Sequence, residues 1–280
     1  MPEIAFVDDR FMPLSEARVS VEDRGFQFGD GVYELLRAYG GRLFRPLEHL
    51  ARLERSAGAL GIPLPYPRDR WMAVLSEAVA RSRYAEAKVY IQVTRGVAPR
   101  DHAPPKGVAP TVVVTVRAFV GPAPELYTRG ADVITVPDIR WARCDIKSIG
   151  LLANVLAKQQ ARESGVFEAL FVRDGFALEG STSNVVVIKA GVLLTPPEGP
   201  LLLSGVTRQV TLELAQEAGI PVKEQAVTEA DLYACDELFL TSTTVELLPV
   251  AQVNGRPIGP GVPGPVTSLL SARFDSLHSD

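Results

Sequence analysis

The sequence predicts an α+β protein of two domains, and three observations carry that prediction. Period-two and period-3.6 apolar patterns are interspersed along the chain rather than alternating as β-α-β units. Several strand pairs are separated by two-residue turns, which join antiparallel neighbours. The stretch GPAPEL (121–126) breaks the pattern with prolines that fix the backbone and offer no ladder hydrogen bond, so a linker is expected there, between domains 1–120 and 121–280.

The elements follow in order. Residues 4–7 and 17–21 read as short strands joined by a turn. In EDRGFQFGDGVYELLRAYGGRLFR, Gly25, Gly29 and Gly31 mark tight backbone, and Gly40-Gly41 is a hairpin signal between VYELLRAY and RLFR. EHLARLERSAGAL (48–60) places Leu50, Leu53, Ala57 and Leu60 on one helical face and is closed by Gly61 and Pro63. Residues 68–83 repeat the pattern with Trp71, Val74, Leu75, Ala78 and Val79. Two strands, KVYIQVTR (88–95) and TVVVTVRAF (111–119), flank a loop rich in Pro and Gly. Beyond the linker, ADVITVP (131–137) is a strand and IGLLANVLAKQQARESG (149–165) a helix ending at Gly165. ALFVRDGFALEG (169–180) and NVVVIKAGVLLTP (184–196) are hairpins turning at Asp174-Gly175 and Ala190-Gly191. SGVTRQVTLELAQEAG (204–219) is a helix opened by Ser204, and DELFLTSTT (236–244) a strand running into a hydroxyl-rich loop.

Composition narrows the function. The 280 residues are 46% hydrophobic and 22% charged, enough apolar material for a packed core. A net charge of −4 argues against a general nucleic-acid surface, which needs a basic field to meet phosphates. It leaves room for a small anionic ligand. Cys144 and Cys235 make neither a disulfide framework nor a metal motif, and a reducing cytoplasm fits them. The opening MPEIAFVDDRFMPL lacks the basic and apolar regions of a signal peptide, and no apolar run approaches membrane-spanning length. With only His49, His102 and His278 in the chain, no multi-histidine metal site is expected.

Several residues could carry chemistry, each beside a plainer reading. Lys147, in RWARCDIKSIGLLAN, precedes an apolar helix start, where partial desolvation would make its amine usable, although position alone favours a plain surface lysine. Glu179 ends a strand beside Gly180, where a carboxylate can face a ligand or merely close a turn. SGVTR (204–208) opens a helix with small residues, so free N–H groups and the Thr207 hydroxyl offer an anion site, or only an ordinary cap. TSTT (241–244) offers four hydroxyls to the same anion or to water. Arg52 lies on the first long helix, and Arg42 and Arg45 flank a strand nearby. Arg100 and His102, two apart in a Pro-rich loop, would point the same way in an extended segment, and arginine binds carboxylates with two parallel bonds. Tyr33 sits on a strand beside glycines, as a core tyrosine or a site residue.

Taken together, EDRGFQFGDGVYE (22–34), EHLARL (48–53), VTRGVAPRDH (93–102), IRWARCDIKS (139–148), LEGSTSNV (178–185), SGVTR and DELFLTSTT resemble the fold-type-IV pyridoxal-phosphate enzymes, and within them the bacterial D-amino-acid (D-alanine) aminotransferase branch. The resemblance runs in order from about residue 4 to about residue 256. It implies a small N-terminal α/β domain and a larger C-terminal domain with a β-barrel-like core. Lys147 would hold pyridoxal 5′-phosphate as a Schiff base and move the proton at the substrate Cα. Glu179 would keep the ring nitrogen protonated, so that the ring serves as an electron sink. Arg52, the Val206 N–H, Thr207 and Thr243 would hold the phosphate, and Leu203 would pack on the ring face. Tyr33, Thr182 and Ser242 would stand near the substrate, and Arg100 and His102 would trap its α-carboxylate from the neighbouring subunit of a homodimer.

The implied reaction moves an amino group between a D-amino acid of the alanine, glutamate or aspartate type and a 2-oxo acid. Arg100-Asp101-His102 is the signal for the D branch. Branched-chain L-amino-acid transaminases, amine transaminases taking R-configured amines, and aminodeoxychorismate lyase share the scaffold as alternatives. A binding protein that keeps the fold without catalysis is the more distant one. Two positions depart from the family pattern: Thr182 replaces the second serine after Glu-Gly, and Leu35-Leu36 stands where smaller valines are usual, which bears on side-chain preference.

Overall fold

The computed structural model describes residues 3–261 and 263–278. The chain divides into two compact units, residues 1–120 with 146–151, and residues 121–145 with 152–280. A single cut near residue 120 therefore leaves out one exchange: the segment carrying Lys147 groups with the first unit.

The first unit contains β1 (Ile4–Val7), β2 (Arg10–Pro13), α1 (Arg24–Phe28), β3 (Gly31–Tyr39), β4 (Arg42–Leu43), α2 (Pro46–Ala59), α3 (Arg68–Ser82), β5 (Ala87–Thr94) and β6 (Thr111–Ala118). The expected strand at 17–21 does not form. Instead Asp8 and Asp9, both at positive φ, make a tight turn that pairs β1 with β2. Aspartate tolerates that left-handed backbone, and the turn sets the strand immediately after it. The strands form one antiparallel sheet in the order β2-β1-β6-β5-β3-β4. Alternate residues of β3, β5 and β6, among them Val32, Leu36, Val89, Ile91 and Val114, pack with Leu50 and Leu53 of α2 and Trp71 and Leu75 of α3 in one core. Each such side chain contributes roughly 1.5–3 kcal/mol on burial.

The second unit contains α4 (Glu125–Arg129), β7 (Ala131–Pro137), α5 (Leu152–Glu163), β8 (Glu168–Arg173), β9 (Phe176–Gly180), β10 (Asn184–Lys189), β11 (Val192–Thr195), α6 (Val206–Glu217), β12 (Val222–Glu224), β13 (Val227–Thr228), α7 (Glu229–Ala234), β14 (Glu237–Ser242), β15 (Glu246–Val253), β16 (Arg256–Pro257) and α8 (Pro265–Ser276). The barrel expected from the resemblance is present. Strands β10, β14, β15, β7, β8 and β9 pair in turn, and β9 closes the ring on β10 through Glu179 opposite Asn184. Val133, Leu170, Val185, Val187, Leu238, Leu240 and Leu248 fill its interior. Residues in the alternate positions, Asn184 and Thr241 among them, point to the other face. Both predicted two-residue turns occur, with Asp174, Gly175, Ala190 and Gly191 all at positive φ.

Two helix starts differ from expectation. The helix after Lys147 begins at Leu152, so Ile149–Leu151 are not helical and the lysine lies in a loop well before it. Helix α6 begins at Val206 with Gly205 as N-cap, not Ser204, whose hydroxyl is drawn 2.5 Å onto Glu198 instead. No helix among the described residues is long and apolar enough to cross a membrane.

Candidate active site

In the first unit the site is built where the loop 146–151 runs beside β3. The Tyr33 N–H donates to the Lys147 carbonyl at 3.0 Å, and Val32 bridges Ser148. The Lys147 N–H donates to Ser56 Oγ on α2 at 3.1 Å. These bonds hold the lysine backbone on both sides, and its Nζ stands 4.4 Å from the Tyr33 ring centroid. Tyr33 in turn packs on Tyr90, with ring centroids 5.7 Å apart. Burial, reinforced by Tyr33, pushes the Tyr90 hydroxyl up to about 12, so it is a donor at working pH and reaches Gln92 at 2.6 Å.

Helix α2 adds a buried polar stripe to this core. His49, Arg52 and Ser56 recur at helical spacing on one face. Arg52 forks onto Glu34 at 2.7 and 2.9 Å, and His49 Nδ1 meets the same carboxylate at 2.7 Å. Glu34 is completely buried. Burial opposes its charge, but Arg52 and His49 outweigh that and hold the carboxyl far below its ordinary range. Burial also keeps His49 below its usual value and therefore neutral at pH 7. Arg52, expected at the phosphate, thus has a fixed partner in Glu34, and an anion bound there would share it.

Arg100 and His102 do come together, on Phe28 of α1. The Arg100 guanidinium lies 4.4 Å from the Phe28 centroid and the His102 ring 5.4 Å from it. Arg24 donates to the carbonyls of Asp101 and His102 at 2.5 and 3.3 Å, clamping the loop to α1. Both Arg100 and His102 are exposed.

In the second unit the hub is Asn184. Its Nδ2 donates to the Leu203 carbonyl at 2.8 Å and to Glu179 Oε2 at 3.2 Å. The Leu203 N–H donates to the same carboxylate oxygen at 3.1 Å. Arg140 donates to Glu179 Oε1. Thus Glu179, Leu203 and the approach to α6 form one connected piece. Gly205 caps α6 where a Cβ would stand 2.2 Å from Asn184 Oδ1, so only glycine fits this close approach. The N–H groups of Val206 and Thr207 lie in the first turn, where an α-helix leaves donors unsatisfied. Arg208, also within SGVTR, turns the other way: buried, it bonds the Pro196 carbonyl and Glu224 at 2.8 and 2.7 Å and anchors the helix to its neighbours.

Thr241 stands directly across from Asn184. Its hydroxyl is buried without a hydrogen-bond partner, a costly arrangement unless a ligand or water completes it. Ser242, Thr243 and Thr244 follow at intermediate exposure, with the Ser242 and Thr244 hydroxyls 3.3 Å apart. Thr182, expected near the substrate, has its hydroxyl on Glu168 at 2.7 Å, as Ser181 does at 2.5 Å. The wholly buried Glu168 therefore ties down the loop that follows Glu179.

Reading single residues missed Glu34, Arg140, Glu168 and Asn184. Charged residues in apolar strands, as in VYELLRAY and EALFV, were an available signal, because a charge at a core position needs a partner. A further cluster, Glu246, Asp275 and His278, gathers two carboxylates about 4 Å from an imidazole and links the end of α8 to the β14–β15 turn.

These donors suit pyridoxal phosphate, which presents an aldehyde, a basic ring nitrogen and a phosphate. Taken each by itself, the first unit has an amine in Lys147, and the second has a carboxylate in Glu179 and donors at the α6 start and in the Thr241 hydroxyl, the residue types such a group would need. The comparisons agree. Residues 31–253 match the family described as amino-transferase class IV. A D-alanine aminotransferase of Bacillus licheniformis is 46% identical over 97% of this chain and 96% of its own length. One of Listeria innocua is 43% identical, with 96% and 93% covered. Among solved structures, the branched-chain amino acid aminotransferase of Escherichia coli superposes with a TM-score of 0.93 at 27% identity, covering 99% of this chain and 95% of that one. A second branched-chain enzyme, from T.th. and solved with pyridoxamine 5′-phosphate, gives 0.91 at 28% identity, with 99% and 95% covered. The chain belongs to the class IV aminotransferases. It is a pyridoxal-phosphate-dependent transaminase of fold type IV.

Proposed function

We propose that the chain transfers the amino group between a D-amino acid, of the D-alanine, D-glutamate or D-aspartate type, and a 2-oxo acid. The observation that carries this is the near full-length likeness to D-alanine aminotransferases at 40–46% identity. The branched-chain enzymes share the fold at only 27–28%. Bound pyridoxal phosphate supplies an electron sink for the charge left when Cα loses its proton. The protein supplies the rest. Lys147 Nζ, held against Tyr33, would be the amine that holds the cofactor and moves the Cα proton. Glu179, fixed by Arg140, Asn184 and the Leu203 N–H, would accept from the ring nitrogen. Leu203 would pack against the ring. The Val206 N–H, Thr207, Thr243 and Arg52 would hold the phosphate. Tyr33, Thr182 and Ser242 border the substrate.

Arg100 and His102 hold the α-carboxylate of substrate bound to a second copy of the chain, which accounts for two ionisable side chains lying exposed on a clamped loop. A homodimer also explains the exposed apolar stripe Leu152, Val155 and Leu156 on α5, at 73, 56 and 49% exposure. We place the protein in the cytoplasm, where both cysteines would stay reduced.

The test is the visible band of the purified, cofactor-loaded protein, followed after adding D-alanine or L-leucine with no oxo acid present. Bleaching by D-alanine is expected. Bleaching by L-leucine alone would refute the D assignment and favour a branched-chain transaminase. Mixing Lys147→Ala with Arg100→Ala subunits tests the shared site, because half-and-half exchange restores up to about a quarter of native activity only if Arg100 acts across the dimer.

A further inference from the structure

The Asp138–Arg140 pair lies beside Glu179, with Arg140 between the two carboxylates. Asp138 extends β7, its N–H donating to the Val172 carbonyl at 2.9 Å. Its carboxylate then folds back: Oδ1 accepts from the Arg140 N–H and Nε at 3.0 and 2.9 Å, and Oδ2 accepts from Arg140 Nη2 at 3.1 Å. This fork leaves little rotational freedom to the guanidinium. Phe171 walls it from one side at 4.2 Å, and the Leu201 carbonyl accepts from Nη2 at 3.1 Å. Nη1 donates to Glu179 Oε1. Arg173 completes the row with 3.0 Å to Asp138 Oδ2 and 2.9 Å to the Arg140 carbonyl. Charges therefore alternate along Arg173, Asp138, Arg140 and Glu179, and both acids are nearly or wholly buried. Burial disfavours the Arg140 charge, but Asp138 and Glu179 together more than restore it, so the guanidinium stays protonated throughout the working range.

We propose that Arg140, oriented by Asp138, is the positioning residue that keeps Glu179 a hydrogen-bond acceptor for the protonated ring nitrogen of the cofactor. This rests on the reading of Glu179 as that nitrogen's partner. An ionised carboxylate only accepts, so a nitrogen facing it must bring the proton. Without the adjacent cation, a buried carboxyl escapes the cost of its charge by taking up a proton, and a carboxylic acid leaves the ring nitrogen bare. Asp138 matters because it aims the guanidinium and shares its charge, so that Glu179 is not saturated by one strong donor.

The experiment loads the full-length protein with pyridoxal phosphate labelled with 15N in the ring and reads the nitrogen resonance at pH 8, with cofactor affinity of the apoprotein measured alongside. Native protein should give the protonated shift, and Glu179→Gln the unprotonated one. Arg140→Met should move toward the unprotonated shift and lose roughly 10- to 100-fold in cofactor affinity. Arg140→Lys should recover part of both, and Asp138→Asn should show a smaller change in the same direction. If Glu179→Gln shifts the resonance while the Arg140 and Asp138 variants do not, the proposal falls and the Glu179 reading stands. If Glu179→Gln itself changes nothing, the reading falls and takes the proposal with it. Should Arg140→Met fail to fold, Asp138→Asn and Arg140→Lys decide by the same criterion.

Discussion

Replacing Glu34 by Gln removes one charge from a wholly buried ionic group of the first unit while preserving its shape. Glu34 is 0% exposed and accepts three hydrogen bonds, two from Arg52 and one from His49, all at 2.7–2.9 Å. Glutamine retains a single acceptor oxygen and turns an NH2 group toward donors. Arg52, itself buried, would then keep its cation with no negative charge opposite and one acceptor oxygen in place of two. Breaking a buried pair from one side costs about 3–5 kcal/mol, because the remaining charge is stranded. A loss of that size should lower the thermal midpoint by several degrees and bring the urea midpoint down without changing the slope. Adding Arg52→Met should restore part of the loss, since removing both partners strands neither. The assay is urea unfolding of the native, single and double variants, followed by circular dichroism at pH 7. A Glu34→Gln variant within about 0.5 kcal/mol of native would refute the reasoning, as would a double variant with fully additive losses.

Further outcomes follow from the same partnerships. His49 is held neutral below its ordinary 6.5, so the unfolded chain binds the extra proton first, and stability should fall as pH drops below about 6.5. Glu34 is likewise depressed from 4.5 and should add a second loss as pH falls below that value; a flat stability profile from pH 7 to 4 would contradict both. Gly205→Ala drives a methyl to 2.2 Å from Asn184 Oδ1, and cofactor affinity of the apoprotein, read by fluorescence titration, should fall at least tenfold if Asn184 joins the Glu179 site to α6. Burial pushes Cys144 up to about 11 and Cys235 up to about 12, so a thiol reagent at pH 8 should label neither until the protein unfolds. Lys147→Ala should abolish transamination and the visible band of the bound cofactor; turnover retained in that variant would refute the role of the lysine.

What could be read from the sequence was whatever depends on near neighbours. The Asp-Gly and Ala-Gly turns specified their hairpins, because positive φ at two successive residues is a local demand. The apolar faces of α2 and α3 were readable from spacing alone, since a helix brings residues three and four apart together wherever it packs. The strand expected at 17–21 does not form, because the Asp8-Asp9 turn starts the second strand directly after the first, at Arg10. Aspartate at positive φ is rarer than glycine, so the signal was weaker, but it was present.

The site was readable as a set of residue types and unreadable as a set of partnerships. Arg52 shows the difference. An arginine on a helix invites an anion, and nothing in EHLARLERS reveals that Glu34, eighteen positions earlier, occupies its fork. Sheet register decides that pairing: Glu34 falls on the face of β3 that looks at α2, while Tyr33, one residue away, falls on the opposite face, since a one-residue step in a strand changes sides. Thr182 repeats the lesson. Its hydroxyl looks available in sequence, yet Glu168, paired across a parallel strand from Val133, reaches through to claim it. Asn184 and Arg140 carry the argument furthest. Each lies in a segment quoted for its resemblance, and neither has a side chain that suggests catalysis. Their importance comes from barrel closure, because joining β9 to β10 is what sets Asn184 beside Glu179, and the turn after β7 is what aims Arg140 at the same carboxylate. A carboxylate that must stay ionised in a dry site needs such neighbours on physical grounds, so the question the sequence left open was which residues would supply the donors.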